Sequence, residues 1–138
     1  MREARDRHKV FAGFLADVDC FKSINDRFGH AEGDRALIRT AKLLKSCLRT
    51  EDFLARFAGD EFVAILPGVS TDELRAIVER VERQFASHRP KGGYLLSVSL
   101  GADVYRPDAD LDADAYLKRL DELMYREKEK RKLGGCRT

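Results

Sequence analysis

Arg56-Phe57-Ala58-Gly59-Asp60-Glu61-Phe62 joins two short apolar-rich segments, residues 52–57 and 61–66. The intervening Ala58-Gly59-Asp60 is hairpin spacing with glycine at the turn, so two antiparallel strands are expected. Gly59 suits a turn that approaches a ligand closely, because a missing Cβ removes both bulk and the penalty on positive φ. Pro67-Gly68 closes the second strand. Asp60 and Glu61 therefore stand at strand ends beside a core, where a carboxylate is costly unless something compensates it.

Upstream, residues 10–16 form an almost unbroken apolar run with Gly13 inside it, ended by Asp17-Val18-Asp19. This pattern predicts a central strand buried on both faces. If that strand neighbours the hairpin, Asp17 and Asp60 can share a divalent cation, and their hard oxygens select magnesium or manganese. Asp19 is expected to cap the strand and face water. Leu37, Ala41, Leu44 and Leu48 then mark one stripe of a helix ending near Arg49. Residues 21–33 are expected to form a short helical turn and a loop. Asn25, His30 and Asp34 lie in and beside that stretch. An amide and a carboxylate converging there can read guanine, since Asp accepts from the N1 and N2 hydrogens that guanine presents together. Turn formers and N-caps account for the same letters equally well.

Downstream, Leu74, Val78, Val81 and Phe85 predict a second amphipathic helix, begun by Ser70 or Thr71 as cap. Leu96, Val98, Leu100, Ala102 and Val104 alternate with Ser97, Ser99, Gly101 and Asp103, the pattern of a half-buried strand. Ala113, Leu117, Leu120 and Met124 mark a last helix. The fold class is thus α/β or α+β, with helices covering a mostly antiparallel central sheet.

The chain has 138 residues, 43% apolar and 36% charged, which suits one globular domain. A net charge of +2, from 26 basic and 24 acidic residues, demands neither a nucleic acid nor membrane contact. No apolar run approaches the roughly 20 residues that span a bilayer, and no signal-peptide stretch opens the chain. Cys20, Cys47 and Cys136 are an odd set without metal-like spacing, which suggests reduced thiols in a cytoplasmic setting. Basic residues gather at Arg126, Lys128, Lys130, Arg131 and Lys132, expected as a solvated helix end.

Taken together, three separated stretches resemble the GGDEF family of diguanylate cyclases. Asp17-Val18-Asp19-Cys20-Phe21-Lys22-Ser23-Ile24-Asn25-Asp26, with Gly29-His30-Ala31-Glu32-Gly33-Asp34, is similar to the family's strand-to-helix signature. Residues 56–62 resemble the name-giving hairpin, here Ala58-Gly59-Asp60-Glu61-Phe62. Residues 97–101 and 121–128 resemble the final strand and helix. The likeness runs from about Val10 to Lys132, which implies a single domain over 1–138 with 1–9 and 133–138 as flanking tails.

The resemblance implies a fold similar to the nucleotidyl cyclases and polymerase palms. It implies that Asp17, the Val18 carbonyl and Asp60 hold Mg²⁺ (or Mn²⁺), with Glu61 as a further ligand or proton acceptor. Asn25, His30 and Asp34 would meet the GTP base, Ala58 and Gly59 its phosphates at the hairpin, and Lys128 and Lys132 would reach those phosphates too. Two GTP would become cyclic di-GMP and pyrophosphate across a homodimer. Arg49-Thr50-Glu51-Asp52 matches an inhibitory RxxD product site, which Arg80 would join. Two positions depart from the family pattern: Ala58 replaces a glycine and Lys132 an arginine. At positive φ the Ala58 Cβ would cost about 1–2 kcal/mol. The alternative is then a catalytically inactive domain that acts as a receptor for GTP or cyclic di-GMP.

Overall fold

The computed structural model describes residues 11–88, 93–107 and 112–133, with residues 132 and 133 described by backbone alone. The sequence tails and Cys136 lie outside the described residues. Strand β1 (Phe11–Val18) is followed by helices α1 (Phe21–Phe28) and α2 (His30–Ser46), then by the hairpin strands β2 (Phe53–Ala58) and β3 (Glu61–Pro67). Helix α3 (Thr71–Ser87), strand β4 (Val98–Tyr105) and helix α4 (Ala113–Leu133) complete the order. The sheet runs β2-β3-β1-β4, and each neighbouring pair is antiparallel. This is the α+β class expected.

The double burial of β1 follows from its central place. Ala12, Phe14, Ala16 and Val18 join the large core together with Ile24, Leu37, Leu44, Val81 and Phe85 from α1 to α3. On the other face, Leu15 packs with Tyr116, Leu120 and Met124 of α4. Gly101 lets α4 lie directly on β4, since an added Cβ would run into the Leu120 carbonyl and the Met124 amide. Helix α3 starts with the expected cap: Glu73 N–H donates to Ser70 Oγ at 3.2 Å, and Ser70 N–H to Glu73 Oε1 at 2.8 Å.

Three expectations change. Residues 21–28 are a full helix rather than a turn and loop, and Gly29 alone (φ 92°) joins it to α2. The polar face of β4 is not solvated, because α4 covers it; Ser99 is fully buried. Cys20 is disulfide-bonded rather than reduced, whereas Cys47 is a free, buried thiol.

Candidate functional site

The end of β1 and the hairpin turn meet. Asp17 faces Glu61 in register, and the Val18 N–H donates to the Asp60 carbonyl at 3.2 Å. Because Ala58 pairs with Glu61, the turn itself is only Gly59-Asp60, with Gly59 at φ 49°. Among the described non-glycine residues only Cys20 has positive φ. Ala58 is therefore unstrained, and the backbone penalty anticipated for its Cβ does not arise.

Electrostatically this centre is short of positive charge. Asp17 is 7% exposed, and burial, a hydrogen bond with Asp60 and the Asp60 charge push its carboxyl well above the usual range, against the pull of Lys128. Its Oδ1 is buried without a hydrogen-bond partner. Lys128 Nζ lies 3.5 Å from Asp17 Oδ2 and 3.7 Å from Asp19 Oδ1. Burial first, then Asp60 and Asp121, raises the Glu61 carboxyl, again against Lys128. An orphaned acceptor among mutually repelling carboxylates is a place that a cation relieves. Among the described residues no three His, Cys, Asp or Glu side chains form a ready metal cage. The donor set instead suits Mg²⁺, which takes one or two carboxylates and fills its remaining positions with water and phosphate.

Asp19 does not face water. Its side chain is 11% exposed and accepts from Ser97 Oγ at 2.7 Å and Ser99 Oγ at 2.6 Å, with Arg131 Nη1 at 3.5 Å. Of the basic end of α4, Lys128 and Arg131 are accordingly drawn onto the site, while Arg126 and Lys130 are exposed as expected. Sequence reading missed Ser97, Ser99 and Arg131. The two-residue spacing of the serines was the available signal, since it puts both hydroxyls on one face of the strand. The Lys132 side chain lies outside the described residues.

At the other end, α1 and α2 bring Asn25 towards Asp34. A Cβ on Gly33 would collide with the Asn25 carboxamide, so the glycine makes room for that side chain next to Asp34. Asp34 lines a cleft of about 550 Å³ with Leu37, Ile38, Ala41, Leu54 and Phe62, and Arg56 also borders it. His30 and Asp34 are exposed. The lining is an apolar slot with a carboxylate at its mouth, fit for a flat heterocycle with paired N–H donors.

Arg49 and Arg80 line a separate hollow of about 240 Å³ with Glu73 and Cys47. Arg49 Nη2 donates to Asp52 Oδ1 at 2.7 Å and to the Pro67 carbonyl at 2.8 Å, while Arg49 N–H donates to Asp52 Oδ2 at 2.7 Å. Arg80 Nη1 donates to the Cys47 carbonyl at 3.1 Å. Asp52 thus orients the Arg49 guanidinium, a fork suited to phosphate or a purine edge.

Residues 1–133 match the family model described as diguanylate cyclase, GGDEF domain. Diguanylate cyclase A of Treponema denticola is 32% identical over 126 residues, covering 90% of this chain and 34% of that protein. The chain spans from 19% to 35% of the length of the curated relatives it matches. The crystal structure of the GGDEF domain of YfiN (TpbB) from Pseudomonas aeruginosa superimposes with a TM-score of 0.79 at 34% identity, over 94% of this chain and 82% of that one. A microbial GGDEF domain whose structure describes its interaction with bis-(3′,5′)-cyclic di-GMP gives 0.74 at 33% identity, over 93% and 79%. With its sheet order, hairpin and matched length, this chain belongs to the GGDEF-domain family of diguanylate cyclases.

Proposed function

We propose that the chain condenses two GTP into cyclic di-GMP with release of pyrophosphate. The observation that carries this reading is the hairpin turn itself. It sets Asp60 and Glu61 against the end of β1, beside the buried and partnerless Oδ1 of Asp17. A receptor has no need of that unrelieved repulsion.

Asp17, Asp60 and the Val18 carbonyl would hold Mg²⁺ (or Mn²⁺). When bound, the ion lowers the pKa of the 3′-hydroxyl and neutralises charge on the leaving phosphates. Glu61, its proton affinity raised, suits acceptance of the 3′-hydroxyl proton as O3′ attacks the α-phosphorus and pyrophosphate departs. Lys128, now spread between Asp17 and Asp19, would turn to the triphosphate, joined by Lys132. Gly59 and Ala58 leave room at the turn for the phosphates. Asn25 and Asp34 would hold the base edge with His30 beside them. One domain offers one such cleft, so two copies would face each other as a homodimer, each bringing one GTP.

The hollow lined by Arg49 and Arg80, with Asp52 orienting Arg49, would take the product as an inhibitor. Arg49→Ala is expected to weaken inhibition by cyclic di-GMP and leave GTP affinity unchanged; unaltered inhibition would remove this site from the reading. We take 1–138 as one domain working in the cytoplasm, where GTP is supplied. Among the described residues no helix is long and apolar enough to cross a membrane.

The test is incubation of the concentrated domain with Mg²⁺ and GTP, followed by assay for cyclic di-GMP and pyrophosphate. Both products support the enzyme. If this chain yields neither while Ala58→Gly yields both, position 58 has made it a receptor for GTP or cyclic di-GMP, by crowding the phosphates rather than by strain.

A further inference from the structure

Helix α2 opens at Gly29 with φ 92° and ψ 161° and with no side-chain cap. Its first turn nevertheless carries His30, with Asp34 just beyond it, and the turn packs against Asn25 of α1 through Gly33. A helix start without a cap frays unless something else holds it.

That hold comes from far along the chain. Glu32 is 9% exposed and accepts from Arg35 Nε at 2.9 Å, Arg39 Nη1 at 2.9 Å and the Tyr94 hydroxyl at 2.5 Å. Arg39 Nη1 also donates to the Tyr94 oxygen at 3.0 Å. Tyr94 is 4% exposed, and its ring rests on Phe28 with centroids 5.2 Å apart. Phe28 is the last residue of α1 and Glu32 lies in the first turn of α2. Tyr94 therefore grips both sides of the one-residue joint at Gly29.

We propose that Tyr94, acting through Glu32 and Phe28, is a positioning residue that fixes the angle between α1 and α2 and so the spacing of Asn25 from Asp34 for guanine selection. The inference rests on the assignment of those two residues to the base. Its physical basis is the tolerance of such recognition: a pair of readers on two different helices works only if the joint between them is held to a fraction of an ångström. The chemistry selected is the paired N1 and N2 hydrogens of guanine, which inosine lacks in part because it has no 2-amino group.

The test uses the full chain and two probes, GTP and inosine triphosphate, titrated in the presence of Mg²⁺. Tyr94→Phe keeps the ring on Phe28 and removes the hydroxyl; Glu32→Gln removes the charge it meets. Both are expected to reduce the GTP-to-inosine-triphosphate affinity ratio several-fold, up to about tenfold, with little change for inosine triphosphate. Val81→Ala, in the core on α3, serves as control because it lowers the melting temperature without touching the joint. If Tyr94→Phe behaves like Val81→Ala, with lower stability and an unchanged ratio, the clamp is merely structural and the proposal is overturned. Failure of the unaltered chain to bind GTP would instead overturn the base assignment, and the positioning role with it. Amide hydrogen exchange over residues 30–34, which needs no nucleotide, separates the two: faster exchange in Tyr94→Phe keeps the clamp, unchanged exchange removes it.

Discussion

Two groups of acid lie close to the α1–α2 joint and the hairpin, and folding treats them in opposite ways. Around Asp17, three carboxylates compete for Lys128, and an oxygen is left buried without a partner. Around Glu32, Tyr94 first, then Arg39 and Arg35, converge on a single carboxylate and hold its pKa down to about 2. Folding thus raises the proton affinity of Asp17 and lowers that of Glu32. A satisfied acid is part of the framework, whereas an unsatisfied one marks where something must arrive.

The comparison breaks most directly at Asp60. Asp60→Asn removes one member of the repelling set, so it should cost about 10²–10³-fold or more in cyclic di-GMP formation, the range lost with one group that stabilises developing charge. Stability without metal should not fall. A variant that loses its fold instead would make Asp60 a framework acid like Glu32. The matched change, Glu32→Gln, should do the reverse. It trades charge-assisted hydrogen bonds for neutral ones and should lower unfolding free energy by roughly 2 kcal/mol in urea titration, with catalytic turnover less affected.

How far the sequence discloses this contrast depends on what holds each residue. Strand β1, the hairpin and α3 follow from local spacing, because Ala12, Phe14 and Ala16, or Leu74, Val81 and Phe85, repeat with the period of the element that buries them. Asp17, Asp60 and Glu61 stand out for a related reason: acid at the end of an apolar strand contradicts its surroundings. Residues 21–33 differ from the expected helical turn and loop because one glycine separates two helices there. The burial of Ser99 and the contacts of Ser97 escape a half-buried strand pattern, because alternation distinguishes two faces but not what covers them. The partners of Glu32 and Asp19 are remote: Tyr94 is 62 residues from Glu32, and Arg131 is 112 from Asp19. Nothing in local periodicity can pair them.

Magnesium sharpens the comparison from the other direction. If the Asp17 centre is built for a cation, Mg²⁺ at about ten times its dissociation constant should add roughly 1.4 kcal/mol of stability. The melting temperature should rise by a few degrees. Asp17→Asn should abolish that rise, and Glu32→Gln should leave it intact. An equal rise in all variants would mean that Mg²⁺ acts on the surface at large.

The smallest effect is a pH signature of the framework cluster. The folded pKa of Glu32, about 2, lies below its ordinary value of 4.5. Its contribution is therefore fully present above pH 4.5 and lost as pH falls through about 2. Tyr94 is pushed up from 10.0 to about 12, by burial first and then by Glu32, so its contribution is present below pH 10 and lost as pH rises through about 12. Between those limits the cluster adds stability, while Asp17, raised by folding from 3.8 to about 8, subtracts a growing amount as pH rises from 3.8 and its full amount above about 8. In a pH series of urea midpoints, Glu32→Gln should flatten the acid limb and Tyr94→Phe the alkaline limb. Asp17→Asn should instead lift the metal-free plateau near neutrality. If all three variants merely shift the whole curve down, the two clusters do not differ in kind, and the unpaired oxygen of Asp17 loses its claim to mark the working centre.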